Sequence, residues 1–152
     1  GKTFTADFIS RQLCDTLRLM PYTLVDHTAD IGMRVSAPTV EELFVEAAHA
    51  LCDIMGGLTD HGEDAVTVRA AGIDHDELLV RWLHEVLFLV EVKGFRVSGI
   101  TLQDLTDTGV TGMLAGSFSG APLLAEVKAV TYHNLEIARI DNACVATIIL
   151  DM

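Results

Sequence analysis

The chain has 152 residues, half of them hydrophobic, and carries 10 Lys and Arg against 22 Asp and Glu for a formal charge of −12. That length suits one globular domain, which buries about 70% of the surface its unfolded chain would expose and needs neither disulfide nor structural metal. Two acids for every base repel phosphate backbones, and no Lys/Arg-rich stripe interleaved with aromatics is present, which argues against direct, tight nucleic-acid binding.

Residues 1–19 stand apart as a leader: they hold Lys2, Arg11 and Arg18 against Asp7 and Asp15, leaving seven bases and 20 acids for the remainder. Phe8, Ile9, Leu13 and Leu17 recur at helical spacing, so the leader is either an amphipathic helix or an extension ahead of a start at Met20. The domain proper is expected over 20–152. No signal peptide and no run of ~20 apolar residues is found, so neither secretion nor a membrane partner is indicated.

Tyr22–Asp26 and Ile31–Ser36 read as short strands around the polar insert His27-Thr28-Ala29-Asp30. Thr39 and Glu42 form a capping box that opens a helix with the stripe Leu43, Phe44, Ala47, Ala48 and Leu51, closed by Gly56-Gly57. Val66 and Val68 mark a strand. Asp74 with Glu77 caps a second helix, whose stripe of Leu78, Leu79, Trp82, Leu83, Val86, Leu87 and Val90 stops at Lys93-Gly94. From Phe95 the period changes to two. Phe95–Val97, Gly99–Gln103, Val110–Ser117, Ala125–Tyr132, Leu135–Ile140 and Ala143–Leu150 are strand candidates, punctuated by Gly120, Pro122, Asn134 and Asp141-Asn142. The last strand is apolar on both faces and belongs mid-sheet. The fold class expected is α+β: two helices packed on a twisted, largely antiparallel or mixed β-sheet, in a single domain.

Three polar groups interrupt otherwise apolar strands. Asp26-His27-Thr28-Ala29-Asp30 is either a turn, whose side chains satisfy backbone N–H groups, or a metal or acid/base site. Lys128 begins Lys-Ala-Val-Thr-Tyr-His133, a basic residue that must snorkel or pair. Asp151-Met152 puts a side-chain carboxylate beside the chain-end carboxylate, two like charges that call for a cation unless they are fully solvated. His49 and His84 lie within helices, where an exposed or core-edge imidazole is expected. Cys14, Cys52 and Cys144 are far apart without a CxxC spacing, which fits a reducing cytoplasm better than a disulfide framework or a zinc site.

Those groups, in order, carry a resemblance. Asp-His-Thr-Ala-Asp-Ile-Gly at 26–32, Thr-Val-Glu-Glu-Leu-Phe at 39–44, Leu-Leu-Val-Arg-Trp-Leu-His-Glu-Val-Leu at 78–87, Lys-Ala-Val-Thr-Tyr-His at 128–133 and the acidic end together resemble the archease family. The resemblance implies a divalent metal held by Asp30, Asp151 and Met152 through its carboxylate, with calcium expected and magnesium as the alternative. Three oxygen donors suit such a hard cation, and compensation by that shared cation or by Lys128 implies that Asp30 and Asp151, 121 positions apart, lie within about 5 Å of each other. Asp26, His27 and His133 would support those ligands from behind. The resemblance further implies a non-catalytic, chaperone-like partner of an RtcB-type RNA ligase, promoting ligase guanylylation and multiple turnover in tRNA splicing or RNA repair, with Asp30, Lys128 and Asp151 as the activating residues. Two alternatives stand beside it: a metal-dependent hydrolase using Asp30 and His27 to activate water, and a structural interaction domain. Against the hydrolase, the sequence has no HExxH, Gly-rich phosphate loop or G-x-S-x-G elbow. The Gly- and Thr-rich segment 104–124 matches nothing functional.

Overall fold

The computed structural model describes residues 22–27 and 30–152. The leader over 1–19, and with it the choice between an amphipathic helix and an extension before Met20, lies outside the described residues, as do Cys14, Thr28 and Ala29. Among the described residues are eight strands and two helices: β1 (Tyr22–His27), β2 (Asp30–Ala37), α1 (Val40–Met55), β3 (Asp64–Ala71), α2 (His75–Glu91), β4 (Arg96–Leu105), β5 (Gly109–Ser117), β6 (Ala129–Thr131), β7 (Ala138–Ile140) and β8 (Ala143–Asp151).

Both helices begin where their caps place them. The Glu42 N–H donates to Thr39 Oγ1 at 3.1 Å, and Gly56 ends α1 at φ 74°, a left-handed conformation that costs a side chain dearly. The Glu77 N–H donates to Asp74 Oδ1 at 2.9 Å, while the Glu77 carboxylate accepts the Ile73 N–H at 3.0 Å. Each helix buries the stripe read from its sequence, and Trp82 is fully enclosed between them, its indole N–H donating to the Phe44 carbonyl at 2.9 Å. Trp82 needs space. Gly112 supplies it from the sheet, since a Cβ there would lie 2.6 Å from the indole ring.

The strands are antiparallel throughout and divide into two sheets. One runs β1-β2-β8-β6, with β7 also paired to β8; the other runs β3-β5-β4. β8 lies in the middle of its sheet, as its two apolar faces predict, with β2 along one side and β6 and β7 sharing the other. Alternation alone reports that a strand has a buried face and does not choose its neighbours, which is why one sheet in the sequence reading becomes two here. Phe95–Val97 and Gly99–Gln103 join as the single strand β4, with register shifts at Val97/Gly99 and Leu102/Asp104; each bulge interrupts the alternation as a strand end would. Ala125–Tyr132 and Leu135–Ile140 shorten to three-residue strands. Leu135 and Ile137 still reach the core, but from a loop pinned by the Ile137 N–H to Asp76 Oδ1 at 3.0 Å. Asp141 and Asn142 both take positive φ (50° and 66°), the mirror-image turn that suits a two-residue hairpin between β7 and β8.

One buried base holds the ends of α2 and a long loop together. The Arg96 guanidinium donates to the carbonyls of Val90, Phe95 and Ala121, so the last turn of α2 and the 118–124 segment are clasped by one side chain. At the opposite side the Tyr22 hydroxyl donates to Asp53 Oδ2, tying the first residue of β1 to α1. Burial and this carboxylate both push the Tyr22 phenol upward. Burial likewise pushes the Cys52 thiol up to about 12, which keeps it protonated and unreactive in the folded chain.

Candidate functional site

The hairpin β1–β2 and the final strand meet at one end of the five-stranded sheet. His27 pairs with Asp30, Asp30 with Asp151, and Asp151 with Ala129, so these four residues form a single row across β1, β2, β8 and β6. Antiparallel partners that face each other project to the same side, with Cβ atoms about 4.5–5.5 Å apart. Asp30 and Asp151 are therefore brought together across 121 positions of sequence. Their side is the outward one: Met33 and Val35 on β2, and Cys144, Ala146, Ile148 and Leu150 on β8, bury the alternate positions.

The row is acidic and weakly compensated. Like charges directly opposite on adjacent strands are destabilising. The ion pairs among the described residues, His75–Asp107 and Arg81–Glu77, lie elsewhere. The next base along β2 is Arg34, four residues from Asp30 and so roughly 13 Å away along an extended strand. Asp30 is half-buried and Asp151 exposed. The pair is thus partly removed from water without a fixed counter-charge at the row, which fits a bound hard cation whose remaining ligands are backbone carbonyls or water.

Lys128 lies immediately before the row. Its backbone N–H donates to the Asp151 carbonyl at 2.7 Å, and its side chain is exposed. Met152 follows Asp151 directly; its side chain packs against the core, holding the residue at the rim. Asp26 and His27 are placed by backbone pairing, Asp26 opposite Ile31 and His27 opposite Asp30; the supporting roles expected of their side chains lie outside what is described. His133 is set apart from the row, beyond the end of β6 and four positions past Ala129, with its Nε2 3.1 Å from Asn134 Nδ2. Among the described residues, no three His, Cys, Asp or Glu side chains converge in a metal-binding geometry.

His84 is the residue that sequence reasoning passed over. Its Nε2 lies 2.7 Å from the Val130 carbonyl oxygen and 3.2 Å from the Val130 nitrogen, so the imidazole occupies the edge of β6 that faces away from β8. It couples α2 to the strand that carries Ala129 against Asp151. Position within the helix offered no sign of this, because the partner is 46 residues away. A polar cleft of about 640 Å³ lined by His61, Glu63, Asp64 and Ser117 lies apart from the row, at the end of the smaller sheet. No helix among the described residues is long and apolar enough to cross a membrane.

With this geometry in hand, comparison with known proteins is informative. A profile of the Archease protein family matches residues 22–152. A Methanopyrus kandleri protein named archease is 39% identical over 140 residues, covering 88% of this chain and all of the relative. An Archaeoglobus fulgidus archease is 34% identical over 137 residues, with the same coverage. The solution structure of Methanobacterium thermoautotrophicum protein 1598 superposes with a TM-score of 0.69 at 28% identity, over 88% of this chain and 99% of that one. The crystal structure of a Thermotoga maritima archease, titled a possible chaperone, shares the fold with a TM-score of 0.61 at 22% identity, over 84% and 94%.

Proposed function

The chain belongs to the archease family, and from that premise we propose that it is a metal-binding, chaperone-like accessory protein that activates an RtcB-type RNA ligase in the cytoplasm. Support comes above all from the row that sets Asp30 directly opposite Asp151. In this proposal Asp30, Asp151 and the carboxylate of Met152 hold a divalent cation, calcium in preference to magnesium. Bound there, the cation would neutralise charges that otherwise repel across the two strands. The chain's own residues do the rest. The backbone pairing of β2, β8 and β6 orients both carboxylates outward, and the Lys128 N–H to Asp151 carbonyl bond holds the Lys128 backbone at the border of the row.

An activator of this kind acts by binding one conformation of the ligase more tightly than another, and its effect cannot exceed that difference in affinity. Its own acidity assists the encounter. A −12 chain is steered toward a basic RNA-binding face and is displaced as RNA or salt competes. The function expected is faster ligase guanylylation and multiple turnover, supporting tRNA splicing or RNA repair.

The test is single-turnover guanylylation of the ligase with GTP and divalent metal, the chain being added substoichiometrically. Wild type should accelerate nucleotidyl transfer and restore repeated turnover; Asp30→Ala, Asp151→Ala and Lys128→Ala should give little gain while remaining folded. Unchanged rate and turnover with wild type would refute the proposal. Hydrolytic turnover without any ligase, lost in Asp30→Ala, would instead establish the hydrolase reading.

A further inference from the structure

Large apolar side chains exposed on a small domain are informative when they gather in one place. Here they do so along the outer side of α2. His84, Phe88 and Val92 are spaced four apart and form one row on the helix surface. Phe88 is 49% exposed and Val92 63% exposed. The row continues at its His84 end, and a further apolar residue stands beside the last turn of the helix. Tyr132, 50% exposed, meets His84 edge to face with ring centroids 6.3 Å apart. Leu124, 85% exposed, lines a shallow cleft with Glu91 and Glu126 beside the last turn of the helix. The loop that carries Leu124 is not loose: its backbone N–H donates to the Met55 carbonyl at 2.8 Å, and Arg96 clasps the preceding segment.

From this arrangement we propose that the ridge Tyr132–His84–Phe88–Val92–Leu124 is a docking surface for a basic, apolar-tipped face of a protein partner. The partner is the RNA ligase of the function proposed above, and the inference rests on that reading. Two observations select this occupant. The ridge is bordered by acids: Glu85 and Glu91 lie three residues to either side of Phe88, and Glu126 stands across the cleft. Three glutamates beside these apolar side chains, with Lys93 among them, are complementary to Lys and Arg surrounding an apolar anchor. In addition, the Phe88 ring already receives a cation, with Lys93 Nζ 5.7 Å from its centroid, and a partner's Arg would compete for that position.

The ridge is also continuous with the acidic row. Tyr132 directly follows β6, Ala129 at the start of β6 pairs with Asp151, and His84 bonds to Val130 between them. Asp30 and Asp151 project from the outward face of that sheet, so a partner seated on α2 would reach them by passing round the edge strand β6. The ridge would supply affinity and the row activation, so the two can be separated by mutation.

The experiment measures binding of the full chain to the RtcB-type RNA ligase of the same organism at two salt concentrations, together with the calcium-induced shift in Tm. The double variant Phe88→Ala/Val92→Ala should weaken binding by at least about tenfold, as truncation of central apolar anchors does, and keep the calcium shift. Glu91→Lys, which leaves the apolar residues in place, should weaken binding and flatten its salt dependence. Ile73→Ala, at the other end of α2 and 79% exposed, should change nothing. Wild-type affinity in a folded Phe88→Ala/Val92→Ala that retains its calcium shift would overturn the ridge and leave the activator function standing. No binding by wild type would overturn both. A wild-type dimer in sedimentation that the double variant dissolves would assign the ridge to a second copy of the chain and overturn the ligase as its occupant.

Discussion

The two sheets use the same antiparallel pairing for different ends. In the three-stranded sheet, β5 presents Val110, Gly112, Leu114 and Gly116 to the core, and the missing side chain at Gly112 admits the Trp82 ring. In the five-stranded sheet, register is used at its far end to place Asp30 opposite Asp151, a pairing that weakens the strands it joins. One region is organised by the volume of its side chains and the other by their charge. Substitutions in the first should act on stability alone, and substitutions in the second on metal response and function, with stability moving little or in the opposite direction.

The largest effect is expected in the packed region. Trp82→Ala empties the space between both helices and the smaller sheet and should cost about 3–5 kcal/mol in urea unfolding, as buried Trp truncations do. Gly112→Ala is the converse: the new methyl would press on the indole ring and on the Thr101 carbonyl, 3.1 Å from the Cβ position, and should cost about 1–3 kcal/mol. Neither variant should alter the activation of the ligase per folded molecule. If either abolished activation at full folding, the division of labour between the two sheets would be wrong.

In the charged region the sign should reverse. Asp30→Asn removes one of two facing negative charges, so in the presence of a chelator the variant should be as stable as wild type or more stable, by no more than about 1 kcal/mol. Millimolar calcium should raise the Tm of wild type, because a ligand bound only by the folded state stabilises it by mass action, and should leave Asp30→Asn unmoved. A variant that lost stability in chelator while keeping the wild-type calcium response would show that Asp30 serves the turn and not a metal.

These regions also differed in how far they could be read from sequence. Thr39 and Asp74 announced their helices because a cap, its acceptor and the apolar stripe all lie within a few residues, where local chemistry decides the outcome. The turn at Asp141-Asn142 was legible for the same reason. Ala125–Tyr132 reads as too long a strand because Val127 is buried and apolar without being in a strand, and burial looks alike from a loop or a ladder. Gly112 could not be linked to Trp82, 30 positions away, by any periodicity. Composition and spacing marked Asp30 and Asp151 as polar interruptions, but their pairing is a property of register between β2 and β8, and only the family resemblance joined them. His84 lies within the motif at 78–87, to which the resemblance attaches no role.

The smallest effect concerns a second acidic pair, at the opposite end of the β2–β8 ladder. Glu42 and Glu46 stand one turn apart on α1, beside a cleft of about 380 Å³ lined by Ser36, Ala37, Asn142 and Ala143. Partial burial raises the Glu46 carboxyl above its usual range; His49 opposes the shift and Glu42 adds to it. An acid whose folded pKa exceeds its unfolded value binds more protons when folded, so stability falls as pH rises from the unfolded pKa through the folded one. Between about pH 4.3, the ordinary Glu value, and neutrality, wild type should therefore lose a few tenths of a kcal/mol relative to Glu46→Gln, an effect kept small by solvent screening. Urea unfolding of both proteins across that window reads the difference. Unlike Asp30→Asn, Glu46→Gln should leave the calcium response unchanged, because an acidic pair on a helix lacks the register that aims two carboxylates from adjacent strands at a single point.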